Sequence, residues 1–283
     1  MDFVQKQSFS YPSVAPFHME LSYVEVDRSS QKNQFDSHVH PECEIYINLT
    51  GDVSFVVENR IYPIVPGNII ITRPYEYHHC VYHSDAEHKH FWILFSADGN
   101  EGLLQRFFDR KAGENNLLLL PPDRQQELIS LCHTLLASSN EPLLSYSCFW
   151  RMMELIEHAR LPVDLAEQVP TDLTLALNYI NRHFAEPISI RALADNAYVS
   201  QHTLERHFHE AMGMTPSAYL KKKRLAYAAE LLYKGRNVMD ACQESGFSDY
   251  STFIATFRKH YGKTPLQYQK QVKHTSKIST VHK

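Results

Sequence analysis

The 283-residue sequence has no long apolar run, only nine glycines, two tryptophans and five cysteines. No stretch approaches the roughly 20 apolar residues that a membrane-spanning helix needs. The first residues, MDFVQKQSFSYPSV, lack the apolar core of a signal peptide. We therefore expect a cytoplasmic protein with no membrane segment. The cysteines are scattered without C-x-x-C spacing, which argues against a disulfide framework or a thiolate zinc site.

Charge is distributed unevenly along the chain, although the net formal charge is only −4. Residues 1–170 carry 12 Lys and Arg against 23 Asp and Glu, whereas residues 171–283 carry 16 against 9. An acidic front half joined to a basic back half predicts that one domain meets a polyanion and the other does not. Because Pro162 and Pro170 interrupt the pattern between the halves, we expect domains at residues 1–165 and 171–283.

The two halves differ in hydrophobic periodicity. Residues 20–96 alternate β-branched and aromatic positions with frequent turn residues, which predicts short antiparallel strands in a sandwich or small barrel. Helical spacing follows, most clearly over residues 125–137 and 143–159. The predicted fold class is therefore α+β with two domains: an N-terminal antiparallel β-barrel with following helices, and an all-α C-terminal domain.

The basic half contains an internal repeat. A shift of 49 residues aligns residues 192–219 with residues 241–268 without a gap, and seven of the 28 pairs are identical. Each copy has a short helical pattern, a break, a second helical pattern and Gly-x-Thr-Pro, which is typical of a helix-turn-helix. Residues 217–234 form a helical pattern that connects the copies and ends at Gly235.

Ser200 and Asp249 are predicted to cap the second helix of each copy. The residues expected to face the core are Ala192, Leu193, Ala197, Leu204, Phe208, Phe253 and Phe257. The outward residues, candidates for DNA contact, are Gln201, His202, Glu205, Arg206 and His209 in the first copy and Tyr250, Ser251, Ile254, Ala255 and Arg258 in the second. A plain helical bundle with a solvated basic face is the alternative.

Residues 241–269, ACQESGFSDYSTFIATFRKHYGKTPLQYQ, resemble the signature of the AraC/XylS transcriptional regulators. Arg224, Ala228 and Leu232 match the connecting helix of that family. The resemblance implies a seven-helix domain with two recognition helices in successive major grooves. It implies base contacts by His202, Glu205, Arg206, Tyr250, Ser251 and Ala255, with Arg206 the best candidate for a guanine. Many members have arginine at the position of Ala255, so the second helix is expected to read fewer bases.

Histidines in the acidic half resemble the motifs of a cupin barrel. His38-x-His40 precedes Glu44 and Gly51, and His79 follows Pro74 by five residues, with His78 as the alternate. Glu76 stands where the motif has glycine. On adjacent strands this spacing suits a divalent metal, for which the candidate ligands are His38, His40, Glu44 and His79.

The resemblance to AraC-like regulators implies a different use of the same barrel, namely binding of a small organic effector without metal. Aromatic planes beside polar groups suit a sugar or related metabolite. The candidate pocket residues are His38, His40, Glu44, Tyr46, Arg73, His79 and Trp92. The alternative is that most of these aromatics are barrel core.

The sequence thus predicts a sequence-specific transcriptional regulator, with activation as the family's commoner mode and no catalytic residues. Its expected partners are promoter DNA, a sugar-like effector, RNA polymerase and a second copy of the chain. The family resemblance implies that dimers form through the helices after the barrel, although these helices are equally suited to covering one side of it. Two other classes remain open: an enzyme with a metal-bound barrel performing oxygenase or isomerase chemistry, and a general DNA-organising protein.

Overall fold

The computed structural model describes residues 3–11, 17–26, 40–84, 86–96, 101–138, 141–162 and 170–270. The chain divides into two compact units, Met1–Gln168 and Val169–Lys283. Within the described ranges, no helix combines the length and apolar character needed to cross a membrane.

The first unit is built on two antiparallel sheets. The larger sheet has the strand order β1 (Phe3–Tyr11), β2 (Phe17–Val26), β8 (His88–Phe95), β3 (Cys43–Thr50), β6 (Ile69–Thr72) and β9 (Leu117–Leu118). The smaller sheet has the order β5 (Arg60–Ile64), β4 (Val53–Val57) and β7 (His78–Tyr82). The predicted antiparallel N-terminal domain is confirmed.

The described part of the first unit also has α1 (Gln105–Phe108) between β8 and β9, and α2 (Pro122–Ala137) and α3 (Pro142–Glu157) after β9. Both longer helices begin with a proline, whose fixed φ and missing N–H suit the first turn of a helix. Their apolar faces pack on the larger sheet in one core, which includes Leu128, Cys132, Leu135, Phe149 and Met152. The helices predicted over residues 125–137 and 143–159 are therefore present, and their buried faces cover one side of the barrel.

Alternation along β3 separates this helix-covered core from the space between the sheets. Cys43, Ile45 and Ile47 pack toward the helices. The intervening Glu44, Tyr46 and Asn48 project from the opposite face of the strand, toward the smaller sheet. Tyr46 accordingly contacts Phe55 of β4, with the ring centroids 5.0 Å apart. The space between the sheets is thus lined by polar as well as aromatic side chains.

Over residues 170–270, the second unit has helices and no strands. Its helices are α4 (Thr171–His183), α5 (Ile190–Asn196), α6 (Gln201–Met212), α7 (Pro216–Tyr233), α8 (Val238–Glu244) and α9 (Tyr250–Tyr261), followed by a helical stretch at residues 265–270. The pairs α5/α6 and α8/α9 form two helix-turn-helix units, and α7 connects them. The described residues therefore contain the seven helical segments that the family resemblance implies, and Gly235, with φ +88°, directly follows the C-cap of α7.

The structure corrects the register of the repeat before each turn. α5 and α8 are related by 48 residues, whereas α6 and α9 are related by 49. The turn after α5 places Tyr198 in the left-handed region at φ +58°, and the equivalent residue after α8 is Gly246 at φ +82°. The second copy therefore contains one additional residue between its turn and its second helix.

This shift explains one wrong prediction about the first helix. Ala192 corresponds to Asp240 rather than to Ala241, and it is exposed. Ala194 is buried instead, together with Leu193 and therefore one position further along the helix. Because each helical residue turns by about 100°, a slip of one position moves a side chain from the core to solvent.

Candidate nucleic-acid interface and ligand pocket

The second helix of each helix-turn-helix begins at the predicted cap. Ser200 Oγ accepts a hydrogen bond from the backbone N–H three residues later at 3.1 Å, and Asp249 Oδ1 accepts the equivalent bond at 2.6 Å. Each helix ends at a glycine in the left-handed region, Gly213 or Gly262. Caps of this kind satisfy the free groups at the helix ends, so both helices have defined boundaries.

The two second helices expose the faces that the sequence predicted. Their inward side chains, Leu204, Phe208, Phe253 and Phe257, are completely buried. Of the ten predicted outward positions, Ile254 is partly buried and the other nine are exposed, namely Gln201, His202, Glu205, Arg206, His209, Tyr250, Ser251, Ala255 and Arg258. Each helix thus presents a continuous, mostly polar surface on an apolar base.

In the first unit, two imidazoles converge on the carboxylate of Glu44. His40 Nε2 and His78 Nε2 each lie 3.0 Å from Glu44 Oε2. The ligand atoms of the three side chains lie within 4.8 Å of one another, a spacing that would suit a metal ion. His38, a predicted member of this group, lies outside the described residues.

The structure places His78, and not the predicted His79, beside Glu44. β7 pairs with β4 so that His78 and Cys80 share the strand face that looks between the sheets. His79 points to the opposite face, where its ring contacts Tyr77 at a centroid distance of 5.7 Å. Strand register therefore selects the alternate histidine of the motif.

The Glu44 cluster is electrostatically coupled. Burial opposes a charge on His40, but hydrogen bonds to the carboxylates of Glu42 and Glu44 raise the pKa of His40 to about 9. Burial also opposes ionisation of Glu44, yet the neighbouring His78 and His40 hold the pKa of its carboxyl well below the usual value. A buried carboxylate paired with a cationic His40 follows.

A second group of aromatic and polar side chains lies further along the same face of β3. Tyr46 Oη is 2.6 Å from His88 Nε2, and the ring of His90 stacks on Tyr46 at 4.6 Å. Trp92 is the cross-strand neighbour of Tyr46 and shares this face. Burial and the nearby His88 lower the pKa of His90 to about 3, so His90 is neutral at pH 7.

Three buried polar atoms along this face have no hydrogen-bond partner within the described part of the chain. They are Asn48 Oδ1, Thr72 Oγ1 and His90 Nδ1. In the strand register, Asn48 lies opposite His90, and Thr72 lies opposite Glu44. Buried polar groups are nearly always hydrogen-bonded, so these atoms mark the space as one that suits a polar ligand.

Arg73 and Glu76 belong to a separate, structural network. The Arg73 guanidinium donates a hydrogen bond to the backbone carbonyl of Arg110 at 2.9 Å. Arg110 in turn binds Glu76 through two hydrogen bonds of 2.8 and 2.6 Å, and Glu76 also accepts the N–H of Gly113 at 2.7 Å. The glutamate that stands at the glycine position of the cupin motif is thus half of a buried ion pair. Arg73 is thus engaged away from the Glu44 cluster.

Models of two known domain families match the chain, one in each unit. A model described as "AraC-like ligand binding domain" matches residues 24–168, and one described as "Helix-turn-helix domain" matches residues 193–271. The chain is 32% identical over 148 residues to "Probable transcriptional regulator LumQ" of Photobacterium leiognathi, a match that covers 52% of this chain and 60% of that protein.

Two further relatives extend the comparison. "HTH-type transcriptional activator RhaS" of Shigella dysenteriae serotype 1 is 24% identical over 290 residues, covering 90% of this chain and 94% of that protein. A crystal structure of a transcriptional regulator with an AraC-type DNA-binding domain from Chromobacterium violaceum is 31% identical, covering 36% of this chain and 91% of that chain with a TM-score of 0.34.

A ligand-binding β-sheet domain joined to two helix-turn-helix units defines a class of transcriptional regulators, not of enzymes. The chain belongs to the AraC/XylS family of this class, since the family's ligand-binding model covers more than half of its length.

Proposed function

We propose that this chain regulates transcription by reading promoter DNA through α6 and α9, and that a small polar effector bound between the two sheets controls this binding. The exposed faces of α6 and α9 are the observation that carries the DNA-reading role. Nine of ten predicted contact positions are exposed there, on a half-chain that carries 16 Lys and Arg against 9 Asp and Glu. Helices of this kind enter the major groove from the N-terminal turn.

The proposed contact residues are not equivalent in the two helices. Arg206 of α6 is suited to a bidentate hydrogen bond to guanine O6 and N7. At Ala255, α9 offers only a methyl group, and Arg258 near its end is better placed for a phosphate. We propose contacts by Gln201, His202, Glu205, Arg206, His209, Tyr250, Ser251, Ile254, Ala255 and Arg258, with base reading concentrated on α6.

Selection from a random-sequence duplex library with the full chain tests the DNA-reading role. The affinity for the enriched duplex should exceed that for scrambled duplex by about 10³ or more at physiological salt. Arg206→Ala should reduce mainly the affinity for the enriched duplex. Arg236→Ala removes the same charge from a residue outside α6 and α9, so it should leave the specificity ratio unchanged. Equal affinity for every duplex would instead indicate a general DNA-organising protein.

We propose a sugar or related polar metabolite as the effector. Two features support this proposal. The aromatic rings of Tyr46 and Trp92 share one face, and buried polar atoms of Asn48, Thr72 and His90 on that face have no hydrogen-bond partner among the described residues. Hydroxyl groups of a sugar can both donate to and accept from such atoms, while its C–H faces stack on aromatic rings. The proposed pocket residues are His40, Glu44, Tyr46, His78 and Trp92. Arg73 and His79 are left out of the proposal because Arg73 binds the Arg110 carbonyl and His79 lies on the opposite face of β7.

Metal binding is a second proposal for the same unit, favoured by the convergence of His40, Glu44 and His78. A thermal-unfolding panel on the full chain, followed by tryptophan fluorescence, separates the two proposals. Both tryptophans, Trp92 and Trp150, lie in the first unit. A sugar at 100 times its Kd should stabilise that unit by about 2.7 kcal/mol, with or without chelator. A shift with Zn²⁺ alone, abolished by chelator, would instead support the metal site.

We further propose that the chain activates transcription as a homodimer in the cytoplasm and contacts RNA polymerase. The relative RhaS is named a transcriptional activator. Leu143, at the start of α3, is 86% exposed and offers an apolar contact for a second copy. Pairing would double the DNA contacts and raise the effective affinity. Light scattering on the full chain should give a dimer, and Leu143→Glu should weaken it.

A further inference from the structure

His207 of α6 was not singled out by any sequence pattern, yet it contacts the candidate base-reading residue. Its Nε2 lies 3.3 Å from Arg206 Nη2. Its Nδ1 lies 2.7 Å from Asp172 Oδ2, and Asp172 is the second residue of α4. The side chains of His207 and Asp172 are only 21% and 12% exposed, so this pair is partly shielded from water.

The chemistry of the three groups fixes the direction of the His207–Asp172 hydrogen bond and, for the neutral imidazole, that of the Arg206–His207 hydrogen bond. A carboxylate only accepts hydrogen bonds, so His207 Nδ1 must carry the proton that is donated to Asp172. A neutral imidazole protonated at Nδ1 has its lone pair on Nε2. Arg206 can only donate, and its Nη2 therefore donates to that lone pair. Asp172 sets the tautomer that lets His207 accept a hydrogen bond from Arg206.

We propose that His207, held in place by Asp172, is a positioning residue for Arg206. This hydrogen-bonded chain of Asp172, His207 and Arg206, called the relay below, sets the degree of discrimination at the one base pair that Arg206 contacts. The inference rests on the proposed DNA-reading function of α6. A guanidinium has five N–H donors, and the contact with His207 uses one of them. Enough donors remain for bidentate contact with guanine, while the long side chain loses less freedom on binding than an untethered arginine.

The test starts from the duplex enriched by the full chain from a random-sequence library, with each base pair then substituted in turn. The base pair at which Arg206→Ala abolishes discrimination is the one that Arg206 reads. At that base pair, His207→Ala should lower discrimination roughly 3- to 10-fold while leaving the affinity for scrambled duplex unchanged. Asp172→Ala should act in the same direction. Asp172→Asn should retain most of the discrimination, since an amide oxygen still accepts from Nδ1.

A matched control lies in the same unit. His183 Nδ1 is 3.1 Å from Glu186 Oε1, a histidine–carboxylate pair with no contact to α6 among its described partners. His183→Ala should leave discrimination unchanged. In the Arg206→Ala background, His207→Ala should cause no further loss, because the residue that it positions is gone. Should His207→Ala fail to fold, the Asp172→Ala and Asp172→Asn pair provides the same comparison.

Each contrary result has a distinct meaning. Equal effects of His207→Ala and His183→Ala, or equal effects of His207→Ala with and without Arg206, would overturn the relay while leaving the proposed function intact. Equal losses from Asp172→Ala and Asp172→Asn would also overturn it. A library that yields no preferred duplex would overturn the proposed function and the relay together.

Discussion

The two units of the chain place their polar side chains in opposite ways. In the second unit the recognition helices rest on fully buried apolar residues, and their polar residues are outside. In the first unit, charged and polar side chains are buried, among them Glu44, Asn48, Thr72, Glu76 and His78. A binding surface on the outside leaves the core free to stabilise the fold. A binding site on the inside requires buried polar networks, which stabilise the fold only when every member is satisfied.

The largest expected effect comes from breaking the buried ion pair of the first unit. Arg110 and Glu76 are 3% and 0% exposed, so Arg110→Met leaves a buried carboxylate without its counter-charge. We expect a loss of about 3–5 kcal/mol in the free energy of unfolding of the first unit. Urea unfolding followed by tryptophan fluorescence measures this loss.

A matched arginine gives the control for that experiment. Arg124 pairs with Glu127 at 2.9 Å, but its side chain is 47% exposed. Arg124→Met should therefore change the unfolding free energy by less than about 1 kcal/mol. Similar losses for the two variants would contradict the view that polar groups buried in the first unit govern its stability.

Acid should destabilise the first unit through His90. Its pKa is about 3 in the folded state because of burial and His88, compared with about 6.5 in an unfolded chain. The unfolded state therefore binds more protons, and stability falls as the pH drops from 6.5 toward 3. Between pH 7.5 and pH 5, His90 alone contributes a loss of about 2 kcal/mol, measured by urea unfolding as the difference in pH dependence between the wild-type chain and His90→Gln.

His90→Gln should remove this pH dependence, because glutamine does not titrate. His83→Gln, at an exposed histidine of the same unit, should keep the wild-type pH dependence. The raised pKa of His40 acts in the opposite direction, since its stabilising effect is complete below pH 6.5 and is lost as the pH rises toward 9. Between pH 7.5 and pH 6.5 it therefore offsets part of the loss caused by His90, and it does so equally in the wild type and in both variants. An unchanged acid response in His90→Gln would refute the assignment.

The second unit should respond to single changes in specificity more than in stability. Arg206→Ala is expected to reduce discrimination at one base pair by about 1–3 kcal/mol, which anisotropy titrations with substituted duplexes measure. On α9, Ser251→Ala should lose only about 0.5–1.5 kcal/mol, the range of one hydrogen bond. If the α9 variant lost more than the α6 variant, the proposed division of base reading between the helices would be wrong.

The smallest expected effect is a gain of about 0.5 kcal/mol in stability from Tyr198→Gly, because the backbone entropy that glycine loses on folding offsets much of the relieved left-handed strain. Tyr198 holds a left-handed backbone at φ +58° while its side chain is 87% exposed, so glycine relieves strain at little loss of packing. Urea unfolding followed by circular dichroism measures the gain. Tyr198→Ala keeps the Cβ atom and should show no such gain, and an equal gain in both variants would place the cause in the tyrosine ring.

The two units also differ in how much of their structure the sequence could predict. Caps such as Ser200 and Asp249, and stripes at three- and four-residue spacing, depend on neighbours along the chain, so α6 and α9 were predicted correctly. A gapless repeat does not detect the one residue inserted before α9, and the prediction for Ala192 was wrong for that reason. In the first unit, the choice of His78 over His79 depends on pairing with a distant strand, which local spacing does not contain.

Other parts of the structure had no local signal at all. Arg110 lies 34 residues after Glu76 in the chain, so nothing in the spacing predicted their ion pair. The contact between Asp172 and His207 likewise joins residues that are 35 positions apart in the chain. Such pairs are fixed by tertiary packing, and both shape the sites that the sequence identified only in part.

We propose that a ligand in the first unit changes DNA binding by the second. The direct measurement is the affinity of the full chain for its enriched duplex, by fluorescence anisotropy, with and without the sugar that most raises the unfolding temperature in the panel. We expect the affinity for the enriched duplex to change by about 5- to 150-fold. An affinity that stays the same at saturating sugar would contradict it.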